Sequence, residues 1–300
     1  MISKYGIFCK VIDVGNFTKA ADMLGYSQSA VSQTIKALEA ECGCVLIDRR
    51  KYGIRLTKDG EQYMPFFKDV FASENSLAQK QKEMKGLEGS VITIGAYSSI
   101  TRNIMPRMMA IFKEDYPDVV IDIRQGEHTS IESWIGDGSV DFGFINSDDT
   151  GCNNFKALYV DEMKAIMPSS HDLAGKGSVT LNDLAHYPLI VLDEGKKSIA
   201  LQAFEEKKIT PHIAYEVYDD YSILAMIHQG LGISIMYEMI FKGLKMDLQI
   251  KDIDEHPKRT VALGWRNWDT MPLASRRFAE FIFDHIDDVI EEQNLLNIAL

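Results

Sequence analysis

The sequence predicts an α/β protein in three parts: a helical N-terminal head, one long connecting helix and a two-lobed α/β body. Three observations predict it. Residues 18–39, TKAADMLGYSQSAVSQTIKALE, read as two short helices around a glycine turn. Tyr63, Val70, Leu77 and Met84 then recur at intervals of seven. From Val91 onward, short apolar runs alternate with helical segments, which indicates a parallel sheet covered on both faces.

Composition bounds the possibilities. The 300 residues are 46% hydrophobic, enough for two or three packed cores. The formal net charge is −12, but residues 1–62 hold nine Lys/Arg against seven Asp/Glu, or +2, so the rest carries −14. A weakly basic head on an acidic body suits a DNA-binding unit whose other surfaces repel DNA, and so modest a charge favours more than one head per molecule. The N-terminus mixes charges into an amphipathic helix, unlike a signal peptide, and no apolar run approaches the roughly 20 residues that span a bilayer, so a cytoplasmic protein without membrane contact is expected. Cys42-Gly43-Cys44 has no second Cys/His cluster nearby and reads better as buried structural thiols than as a metal or redox site, and the four cysteines fit a compartment that keeps thiols reduced.

Within the head, a first helix from about Ser3 to Val14 sets Ile7, Phe8, Val11 and Ile12 on one stripe. Thr18 is placed to cap a second helix, in which Ala20 and Ala21 permit close helix contact. Gly25 ends it and Ser27 caps a third, from Gln28 to about Glu39. Val31, Ile35 and Leu38 share one face of this helix. Gln28, Ser29, Ser32, Gln33 and Lys36 occupy the other, a short polar surface able to bond base edges and phosphates. Val45–Ile47 and Ile54–Leu56 read as two short strands around a Lys-Tyr-Gly turn. Thr57 opens the connecting helix, which runs to about Lys85. Its seven-residue seam weakens at Ser73 and Lys80; a stripe on so long a helix needs a partner, either its own head or a second chain.

In the body the expected elements are strand Val91–Gly95, helix 101–115, strand Val119–Arg124, helix 130–135 and strand Val140–Ile145. Strand Lys164–Met167, helix Leu181–Leu184, strand Leu189–Leu192, helix Ile199–Lys207, strand Ile213–Val217, helix Ser222–Gln229 and strand Gly232–Met236 follow. Strand Thr260–Trp265 and helix Arg276–Glu291 close the chain. The apolar residues 293–300 have no assigned role.

Phe8, Val11, Phe17, Ala20, Ala21, Leu24, residues 27–39, Gly43, Leu46, Arg49, Leu56, Thr57 and Gly60 together form a pattern that resembles the winged helix-turn-helix of LysR-type transcriptional regulators. Tyr116-Pro117, residues 136–141 (GDGSVD), 171–174 (HDLA) and 230–233 (GLGI) extend the resemblance over the body. Asn16, Ile47-Asp48 and Met236-Tyr237 depart from the family pattern. The resemblance implies an α/β protein with an N-terminal winged helix-turn-helix (1–58), a dimerising linker helix (59–88) and a two-lobed, periplasmic-binding-protein-like effector domain (89–300). Lobe I would comprise about 89–161 and 260–300, and lobe II 162–259. It further implies double-stranded promoter DNA as partner, the third helix in the major groove, Arg49, Arg50 and Lys51 at the wing, and a homodimer or homotetramer.

Ligands of open α/β sheets bind beyond the carboxyl ends of the strands. That rule points to Tyr97, Ser98, Ser99 and Thr101, to Glu127, His128 and Thr129, to Asn146, and in the second lobe to Asp193 and Tyr218. Ser98, Ser99 and Thr129 also have a plainer use as helix caps, and His128 as a surface histidine. With Arg102 near the start of the 101–115 helix, the set suits a small effector with an anionic end, a carboxylate or an amino acid. Ser169, Ser170 and His171 are merely adjacent, and no HExxH or phosphate-binding loop occurs, so neither an enzyme nor a cofactor is expected. The expected function is a DNA-binding transcriptional regulator modulated by a small molecule; the alternative is a constitutive regulator with no effector.

Overall fold

The structure is a computed structural model. It describes residues 2–50, 53–83, 89–194, 198–242, 244 and 247–298, without the side chains of 49, 50, 53, 79, 82, 83 and 292–298. Lys51, Met84, Gly86 and the side chains of Arg49 and Arg50 thus lie outside the described residues. The chain forms two compact units, Met1–Gly86 with Asp137–Ser139, and Leu87–Gly136 with Val140–Leu300.

The first unit contains α1 (Lys4–Val14), α2 (Phe17–Leu24), α3 (Gln28–Cys42), β1 (Ile47–Arg50), β2 (Gly53–Leu56) and α4 (Lys58–Glu83). Ser3 and Ser27 cap α1 and α3, and Gly25 ends α2 at φ 70°. The cap of α2 is Asn16, not Thr18: its Oδ1 accepts from the Lys19 N–H at 3.0 Å, so the helix begins one residue before Thr18. Phe8, Val11, Ala20, Ala21, Val31, Ile35, Leu38 and Leu46 fill the core. Phe67 of α4 closes it, edge-on to Phe8 at 5.2 Å. Ile47–Arg50 pairs antiparallel with Gly53–Leu56, so the hairpin starts later than the Val45–Ile47 strand expected, and Val45 is exposed.

The second unit begins with β3 (Val91–Ala96), α5 (Ser98–Asn103), α6 (Met105–Asp115), β4 (Val120–Gln125), α7 (His128–Asp137) and β5 (Phe142–Asn146). Where one helix was expected over 101–115, two occur, because Pro106 lacks the N–H that would continue the first and the chain breaks at Ile104. Next come β6 (Asn154–Pro168), β7 (Ser178–Val179), α8 (Leu181–Ala185), β8 (Leu189–Leu192), α9 (Ile199–Glu206), β9 (Ile213–Val217), α10 (Asp220–His228), β10 (Ser234–Tyr237) and α11 (Glu238–Phe241). The last elements are β11 (Leu248–Ile253), β12 (Lys258–Trp265) and α12 (Leu273–Ile298).

The main sheet runs β4-β3-β5-β12-β6-β11-β7, with β10 also on β6. It is mixed, not parallel: β3 pairs parallel with β4 and β5, but β12 runs antiparallel to β5 and β6. Alternation of elements does not encode the direction of a strand that returns from a distant part of the chain. The long strand β6 joins the two lobes. Its first half pairs with β12, while Met163–Pro168 pairs with β10 and β11. The Lys164–Met167 strand of the sequence reading is only its buried end; the first half, which carries the apolar run 157–160, is largely exposed. Each lobe has its own core, one around Phe112, Phe142, Phe144 and Phe278, the other around Ile190, Phe204, Ile223 and Ile227.

Candidate functional site

Two surfaces carry the residues singled out by sequence. On the head, α3 is held from below by Val31, Ile35 and Leu38, which leaves its opposite face to solvent. Gln28, Ser29, Gln33 and Lys36 are exposed there and Ser32 is half-buried. At 100° per residue these five positions share one side of the helix. The Ser29 and Ser27 hydroxyls are 3.0 Å apart, which fixes the first turn. Sequence reasoning missed Glu39: its Oε1 accepts from the Leu46 and Ile47 N–H groups at 2.9 and 3.2 Å, tying the hairpin to the end of α3. Gly60 admits the same approach, because a Cβ there would stand 2.2 Å from the Leu46 carbonyl oxygen.

Along α4, Tyr63, Phe66, Val70 and Leu77 are all exposed in the single chain, Phe66 to 68% and Leu77 to 61%. Phe66 belongs to this outer stripe, whereas Phe67 turns into the head core and stacks on Tyr63 at 5.5 Å. Four large apolar side chains exposed along one face of a helix, interrupted at Ser73, are more than scattered surface apolarity.

Between the lobes of the second unit lies a cavity of about 330 Å³. Of the expected residues, Tyr97, Ser98, Ser99, His128, Asn146, Asp193 and Tyr218 line it. Thr101 and Thr129 do not: the Thr101 hydroxyl donates to the Ser98 carbonyl at 2.9 Å, and that of Thr129 to Glu127 at 3.0 Å. His128 is oriented rather than loose. Its Nε2–H donates to the Asp149 carbonyl at 2.8 Å, which leaves Nδ1 to accept from the Tyr97 hydroxyl at 3.3 Å. Asn146 accepts from the Asp148 N–H at 3.2 Å, and the Tyr218 phenol donates to Asp193.

The lining also includes Glu194, Asp220 and Tyr237, to which no sequence rule pointed, and Arg259. Arg259 sits on β12 directly opposite Asp161 on β6, at the crossing between lobes. Both are buried, and Arg259 Nη2 donates to Asp161 Oδ2 at 2.9 Å and to the Ser99 hydroxyl at 3.2 Å. The guanidinium lies 3.6 Å from the centroid of the Tyr237 ring and 4.7 Å from that of Tyr97. Asp161 also accepts from the Met239 N–H at 3.2 Å, so one ion pair fastens β6, β12 and α11 together. Ser98 of the first lobe donates to Asp220 Oδ2 of the second. Burial pushes the Asp220 and Glu194 carboxyls above their ordinary range, with bonds from Ser98 and from Ser198 and Tyr237 acting in the opposite direction.

The anionic end expected of an effector finds less support than the sequence suggested. The helix at Ser98 is only six residues long, and Arg102 lies over the Tyr221 ring at 4.7 Å and does not line the cavity. The lining guanidinium is already paired with Asp161. The other sequence candidates are structural: Ser169 donates to Asp247 at 2.6 Å, and His171 accepts from the Leu173 N–H at 3.2 Å. Burial pushes the Cys9 thiol up to about 12, which suits an inert core cysteine, whereas Cys42 and Cys44, expected to be buried, are only half-buried, since they lie at and beyond the end of α3. Among the described residues no group of three or more His, Cys, Asp or Glu could hold a metal ion, and no helix is long and apolar enough to cross a membrane.

Comparison with known proteins gives the following. Residues 2–61 match a family model described as bacterial regulatory helix-turn-helix protein, lysR family, and residues 85–287 one described as LysR substrate binding domain. The chain is 31% identical over 282 residues to the uncharacterized HTH-type transcriptional regulator YvbU of Bacillus subtilis strain 168, which covers 93% of this chain and 96% of that one. A full-length OxyR variant from Pseudomonas aeruginosa superposes with a TM-score of 0.70 at 20% identity, over 95% of this chain and 94% of that one. Full-length CbnR in complex with its target DNA superposes at 0.62 and 18% identity, over 93% of this chain and 97% of that one.

Proposed function

Because the chain belongs to the LysR family of transcriptional regulators, we propose that it binds promoter DNA as a dimer or tetramer and that a small organic effector in the interlobe cavity sets its promoter occupancy. The observation that carries this reading is the cavity itself, whose walls come from both lobes and whose hinge is a single buried ion pair, Arg259–Asp161. Ligand contacts made only when the lobes close bias a two-state equilibrium by their differential affinity.

In this reading Gln28, Ser29, Ser32, Gln33 and Lys36 face the major groove, with Gln33 placed mid-helix for a bidentate contact to adenine. Arg49, Arg50 and Lys51 hold the flanking backbone from the wing. The exposed stripe Tyr63/Phe66/Val70/Leu77 meets its counterpart on a second chain, so the heads sit at a fixed spacing and read two half-sites. CbnR, solved with its target DNA, has the same fold over nearly its whole length. In the cavity, Tyr97, Ser98, Ser99, His128, Asn146, Asp193 and Tyr218 are the candidate effector contacts, while Thr101 and Thr129 act through Ser98 and Glu127. The test is a footprint of the full-length protein on the DNA upstream of its own gene. Protection of two half-sites related by a twofold axis is the expected result, and protection without sequence preference would refute it.

A further inference from the structure

The cavity wall is acidic in a way that regulation by itself does not require. Glu127, Asp149, Asp193, Glu194, Asp219 and Asp220 all line it, and the lining guanidinium is spoken for by Asp161. Lys196 and Lys197 follow Glu194 and lie outside the described residues. A cluster of carboxylates on an open surface is merely solvated, and here Asp219 is exposed and Glu127, Asp149, Asp193 and Glu194 are half-buried, but Asp220 is buried. Asp220 is 4% exposed, and while its Oδ2 accepts from Ser98, its Oδ1 has no hydrogen-bond partner. A buried carboxylate oxygen without a donor costs about 1–3 kcal/mol or more for a charged group, so such an atom beside a cavity marks a missing donor.

A second unpartnered atom belongs to another lining residue. Arg259 Nε is buried without an acceptor, although Nη2 is fully used. The two tyrosine rings flanking Arg259 supply flat apolar walls. The volume, at the lower end for ligand pockets of about 300–1,000 Å³, admits a molecule the size of an amino acid.

We infer that the effector carries an ammonium group, bound by Asp220 with Glu194 beside it, and that an acceptor oxygen of the same molecule takes the free N–H of Arg259. The class is therefore the small amines of zero or positive net charge: amino acids, amino amides and amino alcohols. A carboxylate or phosphate without an ammonium lacks the group that Asp220 and Glu194 would bind. A charged nitrogen returns what burial took from Asp220, since a carboxylate raised by desolvation is lowered again by an adjacent cation. A metal ion is the other cation an acidic wall attracts, and the described carboxylates do not converge on a point that could hold one. The inference rests on the interlobe cavity being the effector site.

The experiment is calorimetry of the full-length protein against the common L-amino acids, their amides, the corresponding amino alcohols, and the N-acetylated and deaminated counterparts of each. At least one free amine binds, its N-acetyl and deaminated forms bind at least tenfold more weakly, and Asp220→Asn loses that preference. Glu194→Gln, which keeps the size and hydrogen bonds of the side chain, weakens the same amine by a smaller factor, so the result does not hang on one variant. A deaminated carboxylate that binds as well as its amine, an amine whose affinity survives in Asp220→Asn, or silence from every amine at millimolar concentration overturns the inference. Amine binding that leaves DNA affinity unchanged would support this site and refute the regulatory reading instead.

Discussion

Replacing Asp161 with Asn removes one half of the ion pair on which both lobes are hinged. The geometry sets the size of the effect. Asp161 is 3% and Arg259 5% exposed, so solvent does little to screen the guanidinium once its partner is gone. Its contacts are two tyrosine faces and the Ser99 hydroxyl, and the carboxyls left to attract it, Glu194 and Asp220, are ones that burial has pushed toward the neutral form. Loss of one member of a buried pair costs about 3–5 kcal/mol, because the remaining charge stays desolvated. For a domain of this size that is a fall in Tm of roughly 6–20 °C, at about 2–4 °C per kcal/mol. The full chain can be used, because its three tryptophans, Trp134, Trp265 and Trp268, all lie in the second unit, and their fluorescence follows that unit while the head is silent. Combining Asp161→Asn with Arg259→Met should recover part of the loss, since the orphaned charge is then gone. A change in stability below about 0.5 kcal/mol, the ordinary range for surface substitutions, would refute the hinge as described.

Four further outcomes are expected. Gln33→Ala should cost about 1–3 kcal/mol at the cognate site and relax base preference, while Arg50→Ala should weaken cognate and random DNA alike and flatten the salt dependence; competition binding at two salt concentrations checks both, and equal loss on both DNAs for Gln33→Ala removes it as a base reader. Val70→Glu places a charge in the exposed stripe of α4 at several kcal/mol if a partner buries it, so sedimentation should show monomers, and a mutant that stays dimeric contradicts the seam. Gly60→Ala drives a Cβ against the Leu46 carbonyl and should cost the head about 1–3 kcal/mol, seen as lost DNA binding with an unchanged tryptophan unfolding curve. Asp220 has a raised carboxyl pKa in the folded state, so the folded chain holds its proton more tightly than the unfolded one, and stability falls as pH rises from the ordinary aspartate range through the raised value. Asp220→Asn should therefore be more stable than the wild type at neutral pH and lose that advantage in acid; a difference constant with pH rules out this titration.

The head was the most legible part of the chain because its logic is local. Gly25 and Ser27 punctuate helices within a few residues, and the Val31/Ile35/Leu38 face declares its own core. Even there Thr18 was mistaken for the cap that Asn16 supplies, because both residue types accept the same bond and only the backbone angles choose between them. In the body, short strands set off by turn residues, such as Leu189–Leu192 and Ile213–Val217, were visible, whereas the first half of β6 was not, although it carries Phe155 and the apolar residues 157–160. The cavity shows the same division. Residues just beyond strand ends, such as Tyr97, Ser98 and Asn146, follow from a rule about sheets. Glu194, Asp220, Tyr237 and Arg259 come from four separate stretches of chain that the fold alone brings together. Arg259 stands 98 residues from Asp161, and no periodicity spans that distance.

The central claim is that occupancy of the interlobe cavity changes the affinity of the head for its DNA. It is tested most directly by fluorescence anisotropy of the full-length protein on labelled DNA from upstream of its own gene, titrated with and without saturating amine ligand. Coupling free energies of about 1–3 kcal/mol are usual between linked sites, so the account predicts a shift of roughly 5- to 150-fold in apparent Kd, absent in Asp220→Asn. A ligand shown by calorimetry to fill the cavity while the two DNA-binding curves superimpose would contradict it.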